Sequence, residues 1–205
     1  MAPTFPPGGT FFDTLKKSFT DVPIDESKGE AISTTPFLEA AESLTTLFDV
    51  LGSAAFTPVK SDMGGNIKKI RDRQMAEPLE SDNLQDLVRN ELKTKKHTAT
   101  EGLLWLTRGL DFTAQSLRQN LSKPDEELSA SFRSAYGNTL KPHHSFIVKP
   151  IFSAAMSATP YRKDFYAKLG DDQTRVEKEL NDWLQGLERN VKILNNFLAS
   201  KEAKW

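Results

Sequence analysis

Residues 98–121 carry apolar side chains on two faces of one helix, and that restricts the folds open to the chain. At 100° per residue, Leu103, Leu106, Leu110, Ala114, Leu117 and Leu121 form one stripe. Trp105 and Phe112 lie almost opposite it, with Leu104 between the two faces. A helix apolar on both sides needs a partner on each and belongs inside a stack. Helical spacing also dominates elsewhere and predicts helices near 10–20, 35–51, 58–75, 82–94, 98–121, 126–156, 161–169 and 172–200. No segment alternates well enough to be read as a strand. The last helix carries Val176, Leu180, Trp183, Leu187, Val191, Leu194 and Leu198 in core spacing. An all-α, two-layer helical sandwich of about eight helices fits these patterns better than a simple four-helix bundle.

The 205 residues suit one domain with a sizeable core. A net charge of −1 gives no electrostatic case for nucleic acid. The chain has no cysteine, and His97, His143 and His144 are too few and badly spaced for a zinc motif. Neither metal nor cofactor is therefore expected. Residues 1–9, rich in proline and glycine, read as a disordered segment without the basic and apolar regions of a signal peptide, ahead of a domain at 10–205. No apolar run approaches the roughly 18 to 20 residues needed to span a bilayer. A monomer in the cytosol is the expectation.

Residues 57–71 hold the main candidate for chemistry. Thr57 and Pro58 suit a helix start, and Val59, Met63, Ile67 and Ile70 form a narrow apolar stripe. Asp62, Asn66 and Lys69 fall in an arc of about 60° that flanks this stripe. Asp62 and Lys69 are roughly 10 Å apart along the axis, too far for a simple intrahelical ion pair. They are free to point at a common third party, an amphiphile's polar head for example, or to form an ordinary solvated edge. The adjacent Gly64 and Gly65 each cost about 1 kcal/mol relative to alanine in a helix interior. They fall on the side away from the triad, where close helix packing is a possible reason for them.

Other residues admit two readings. Trp105 suits either stacking on a sugar ring or a place in a doubly buried helix, and Phe112 on the same face suits both. His144 falls in line with Val148, Ile151 and Ala155 on the predicted 126–156 helix, so it must bond to backbone or to a ligand carbonyl. His143 points elsewhere, toward solvent. Phe146 sits beside Lys149 and away from that stripe, as either a membrane-facing aromatic or a scattered surface side chain. Pro150 is expected to kink the helix at Phe146, and Tyr161 falls where it extends the same patch. The pairs Glu126/Glu127 and Asp171/Asp172 sit at predicted helix starts, where acids favour the dipole. No nucleophile elbow, P-loop or dinucleotide fingerprint is present, so no enzyme is expected.

Asp62-x3-Asn66-x2-Lys69, then Leu104-Trp105-Leu106-Thr107-Arg108-Gly109-Leu110, then His144-Ser145-Phe146-Ile147-Val148 resemble the glycolipid transfer protein family. The similarity runs from roughly residue 10 to the end of the chain. Pro142-His143-His144-Ser145-Phe146 and Trp205 are most similar to its fungal heterokaryon-incompatibility branch. The resemblance implies a two-layer helical fold that carries glycosphingolipids such as glucosyl-, galactosyl- and lactosylceramide, with transient contact at membrane surfaces and no covalent chemistry. It implies that Asp62, Asn66 and Lys69 bond sugar hydroxyls, that Trp105 stacks on the first sugar, and that Asp62 and His144 take the ceramide amide. It places Phe56, Val59, Phe112, Phe152 and Phe165 along a hydrocarbon tunnel, and Phe146, Lys149 and Tyr161 at the membrane. Animal members have tryptophan where Phe146 stands. Ceramide-phosphate-binding members have arginine where Trp105 stands and lack the asparagine of Asn66, so this chain is expected to prefer a neutral sugar. Two alternatives remain: a glycolipid sensor or interaction protein with little net transfer, and an enzyme using Asp62, Lys69 and His144 as acid–base groups. Trp205 either closes the head-group site or caps the core.

Overall fold

The computed structural model describes residues 5–52 and 54–205, so residues 1–4 of the segment expected to be disordered lie outside the described residues. Residues 5–9 include a turn closed by the Gly9 N–H on Pro6 O at 2.8 Å, and Arg175 donates to Gly8 O. The helices are α1 (Thr34–Thr45), α2 (Leu47–Leu51), α3 (Thr57–Ala76), α4 (Leu84–Lys93), α5 (Thr98–Ser122), α6 (Leu128–Asn138), α7 (Val148–Ser157), α8 (Arg162–Leu169) and α9 (Gln173–Ala199). A two-residue antiparallel pair, β1 (Ile24–Asp25) with β2 (Ala31–Ile32), is too short for alternation to reveal.

The two-layer, all-α architecture expected from the sequence is the one observed. Helix α5 is its centre: α3, α4, α6 and α9 all pack on it. Leu103, Leu106, Leu110 and Leu117 are fully buried on one face and Phe112 on another. Two specific devices hold α5. His97 precedes it without a side-chain cap, and the buried Glu91 of α4 supplies the missing acceptor. Its carboxylate accepts from the N–H groups of Ala99 (2.9 Å) and Thr100 (2.7 Å) and from the Thr100 hydroxyl (2.7 Å). These satisfy N–H groups that every helix start leaves unpaired. Further along, Arg118 forks onto Glu188 of α9 at 2.7 and 2.9 Å and bonds Asn181 at 2.8 Å. Across from it, α9 lies against the short 3-10 turn at Phe19–Asp21, where a Cβ on Gly186 would stand 2.6 Å from the Thr20 nitrogen.

Three expected helices differ. Residues 10–20 form two 3-10 turns, Phe11–Thr14 and Phe19–Asp21, because Thr10 and Ser18 cap the next few N–H groups locally and compete with a continuous helix. The 35–51 helix breaks at Thr46, where the Thr45 and Thr46 hydroxyls bond the Glu42 and Ser43 carbonyls. The 126–156 helix is really α6 and α7 with a loop over 139–147. Pro142 has no N–H to extend α6 and disfavours helical backbone at Lys141. Pro150 therefore does not kink a long helix: it sits in the first turn of α7, where its missing N–H costs nothing.

Gly64 and Gly65 lie on the exposed side of α3, and a Cβ on either would meet nothing within 4 Å. Close helix packing does not explain them. Among the described residues, no helix is long and apolar enough to cross a membrane. No group of three or more His, Asp or Glu side chains among them is placed to hold a metal ion.

Candidate functional site

Helix α3 turns Val59, Met63, Ile67 and Ile70 into the core, as their spacing predicts. That burial sets the direction of the neighbouring polar edge. Beside it, α5 comes unusually near: a Cβ on Gly102 would stand 3.1 Å from Lys69 Cβ and 3.3 Å from Asn66 O. Asn66 is 3% exposed, while Asp62 and Lys69 open to solvent on either side of it. Lys69 Nζ donates to Asn66 Oδ1 at 3.3 Å, and Asn66 Nδ2 donates to Asp62 Oδ2 at 3.2 Å. The acid and the amine, too far apart to pair, are thus joined through the amide between them. Desolvation raises the Asp62 carboxyl above its usual 3.8, with the Lys69 charge opposing.

Trp105 faces this edge from α5. It is half-buried and packed against the rim of the core. The His144 ring stacks beside it at 5.8 Å between centroids and 21°, and the His143 ring meets it edge-on at 6.5 Å. The Arg108 guanidinium sits 4.7 Å from the Trp105 ring centroid. Its pKa is lowered by burial, and among the described residues it has no carboxylate partner.

His144 lies in the loop before α7, not on a helix as expected. The loop carries its ring against Trp105. Burial lowers its pKa below 6.5, and the positive charges of His143, Arg108 and Lys149 lower it further. Both effects favour the neutral imidazole at pH 7. Its Nδ1 lies 3.2 Å from the Tyr136 hydroxyl. His143 is exposed as expected, but it also touches Trp105.

These groups border one cleft of about 390 Å³. Asp62, Asn66, Lys69, Trp105 and His144 give it donors, acceptors and an indole face, while Val148, Ile151 and Phe152 make it apolar at one end. Pro58 and Glu101 complete the lining. From Phe152 a file of rings runs into the core. Phe152 stacks on Tyr136 at 5.3 Å, Tyr136 meets Phe112, Phe112 meets Phe132, and Phe132 meets Phe56. Phe56, Phe112 and Phe152 thus belong to one connected set. Val59 and Phe165 are buried in the same core, but the ring contact of Phe165 is with Tyr166.

Phe146 is 82% exposed beside Ile147, and with Arg133, Lys141 and Lys149 it borders a separate groove of about 490 Å³. Tyr161 is also exposed but does not line that groove. Trp205 stacks on His97 at 5.5 Å and stays 54% exposed, so it neither lines the cleft nor joins the core. Sequence reasoning missed Glu101, Arg108 and Tyr136. The first two stand four residues before and three after Trp105, a spacing that would have found them. Tyr136 comes from another helix and carries no local signal.

The fold is thus a helical stack in which a small polar-rimmed cleft abuts a file of aromatic rings. The model of the glycolipid transfer protein (GLTP) family matches residues 32–171, and the chain belongs to that family. It is 79% identical to the glycolipid transfer protein of Aureobasidium melanogenum over 98% of each chain. The crystal structure of HET-C2, a fungal glycolipid transfer protein, superposes with a TM-score of 0.94 at 69% identity, covering 96% of this chain and 100% of that one. The human pleckstrin homology domain-containing family A member 8 is 34% identical over 92% of this chain, which spans 38% of that longer protein.

Proposed function

We propose that this protein binds glycosphingolipids and carries them between membranes without altering them covalently. The observation that supports this most is the hydrogen-bonded Asp62–Asn66–Lys69 edge facing Trp105 and His144 across one cleft. A sugar offers hydroxyls to the edge and an apolar C–H face to the indole. Its ceramide amide N–H would donate to Asp62, and its carbonyl would accept from neutral His144. Lys69 and the Asp62 carboxylate give charge-assisted hydrogen bonds, the stronger kind. The cleft measures about 390 Å³. Two long chains need more room, so the rings behind Phe152 must part to admit them, with Phe56, Val59, Phe112, Phe152 and Phe165 forming the lining.

Each methylene buried is worth about 0.8 kcal/mol, so a carrier must offer hydrocarbon a cavity as apolar as the bilayer. Phe146 and Lys149, with Tyr161 at the margin, would adsorb the protein weakly enough for release.

The test is transfer between donor and acceptor vesicles of labelled glucosyl-, galactosyl- and lactosylceramide, with ceramide phosphate alongside. The glycolipids should move and the phosphate lipid should move little. Asp62→Val and Trp105→Ala should each slow transfer at least about 10-fold, the equivalent of one or more strong hydrogen bonds or an aromatic contact. Full transfer by a well-folded Asp62→Val variant would refute the site. Recovery of hydrolysed lipid would refute the non-covalent reading.

A further inference from the structure

Nδ1 of His144 is engaged by Tyr136, so Nε2 is the ring nitrogen left for a ligand in the cleft. Whether Nε2 donates or accepts depends on which way the Tyr136 hydrogen bond runs. A ligand carbonyl needs a donor. If Nδ1 carried the proton, Nε2 would present a lone pair to the carbonyl and repel it.

The surroundings of Tyr136 favour the phenol as donor. The residue is 6% exposed, lies parallel on Phe152 at 5.3 Å and 12°, and meets Phe112 edge-on at 6.5 Å. Among the described residues, Nδ1 of His144 is the one hydrogen-bond partner its hydroxyl has. Tyr136 also borders the groove beside Phe146, where Arg133, Lys141 and Lys149 can only donate; were Nδ1–H the donor, the phenolic proton would have to turn to water there instead of to a fixed acceptor. With the phenol donating, both groups are satisfied.

We propose that Tyr136 is a positioning residue for ligand recognition: its hydroxyl donates to Nδ1 of His144 and so holds the imidazole as the Nε2–H tautomer that a ligand carbonyl requires. The proposal rests on His144 facing the ceramide amide, as the proposed function has it. Tyr136 never touches the ligand's polar atoms and acts through the imidazole. Its pKa, raised by burial, keeps the phenol protonated at neutral pH, in line with a donor role.

The tautomer is read directly from the wild-type protein by long-range proton–nitrogen correlation on ¹⁵N-histidine-labelled samples at neutral pH. The expected spectrum shows His144 Nε2 protonated and Nδ1 as the bare nitrogen. Tyr136→Phe keeps the ring packing and removes only the hydroxyl. It should admit the Nδ1–H tautomer, slow vesicle transfer of galactosylceramide by about 3- to 10-fold, and leave the melting temperature within a few degrees. In a His144→Ala background the same change should have no further effect on transfer. An Nδ1–H tautomer in the wild type overturns the proposal. So does Tyr136→Phe with unchanged tautomer and transfer, or an undiminished Tyr136→Phe effect once His144 is gone. Failure of the wild type to move any glycolipid sinks the transfer function itself, while the tautomer measurement still stands as a separate result.

Discussion

Single residues set the chemistry of the cleft, and Asp62 inside it and Gly64 and Gly65 outside it give predictions that separate function from stability. Asp62 has its pKa raised by desolvation, Lys69 only partly offsetting this. Binding needs the carboxylate as acceptor, so affinity is full above this pKa and falls as pH drops through it. The acid limb of glycolipid binding should therefore lie above 3.8, the ordinary aspartate value. Titrating affinity in neutral phosphatidylcholine vesicles checks this; a midpoint at or below 3.8 would contradict it. Protonation of His144 leaves its Nε2–H in place and should weigh less. Gly64 and Gly65 make the opposite case. Their α-carbons face open space inside α3, so Gly64→Ala and Gly65→Ala should each stabilise the fold by about 0.5–1 kcal/mol. Chemical denaturation measures the gain, and a loss would mean that these positions have a contact outside the described one. Spacing alone placed Asp62, Asn66 and Lys69 on one edge. It did not show that Asn66 is buried between them and links the other two.

Among the elements, α5 matters most, because it carries Trp105 and brings Gly102 against the α3 edge. Its two apolar faces were plain in the sequence; the structure buries the leucine face and Phe112 but leaves Trp105 half-buried at the cleft. Its N-terminal cap was not, since the acceptor Glu91 belongs to the preceding helix. Glu91→Gln would turn an amide NH₂ toward N–H groups that now meet a carboxylate oxygen. The cost should be about 1.5–3 kcal/mol. For a chain of this size that is a fall in melting temperature of roughly 3–10 °C. Calorimetry reads it directly, and an unchanged melting temperature would remove Glu91 as the cap. The loop between α6 and α7 was the main misreading at this scale. Residues 126–156 keep helical spacing across Pro142, but a proline ends a helix more surely than a stripe prolongs it. His144 reached the cleft all the same, carried by a loop.

The whole molecule places a polar cleft and an exposed aromatic next to each other but in separate hollows. Phe146→Ala should lower partitioning onto glycolipid-free vesicles by about 10-fold, from the apolar area lost. Binding of a short-chain glycolipid in solution should stay unchanged. Equal losses in both assays would place Phe146 in the binding site and not at the membrane. The sequence by itself determined the all-α class, the central two-faced helix and the direction of the Asp62–Asn66–Lys69 edge. Those follow from the helical period, which repeats every few residues and is visible locally. Only the tertiary structure decided that Asn66 bridges its neighbours through a buried amide, that Glu91 caps α5, and that Tyr136 meets Nδ1 of His144. Each of these joins groups through space, and no local period records which side chains a fold will bring within about 3 Å of one another.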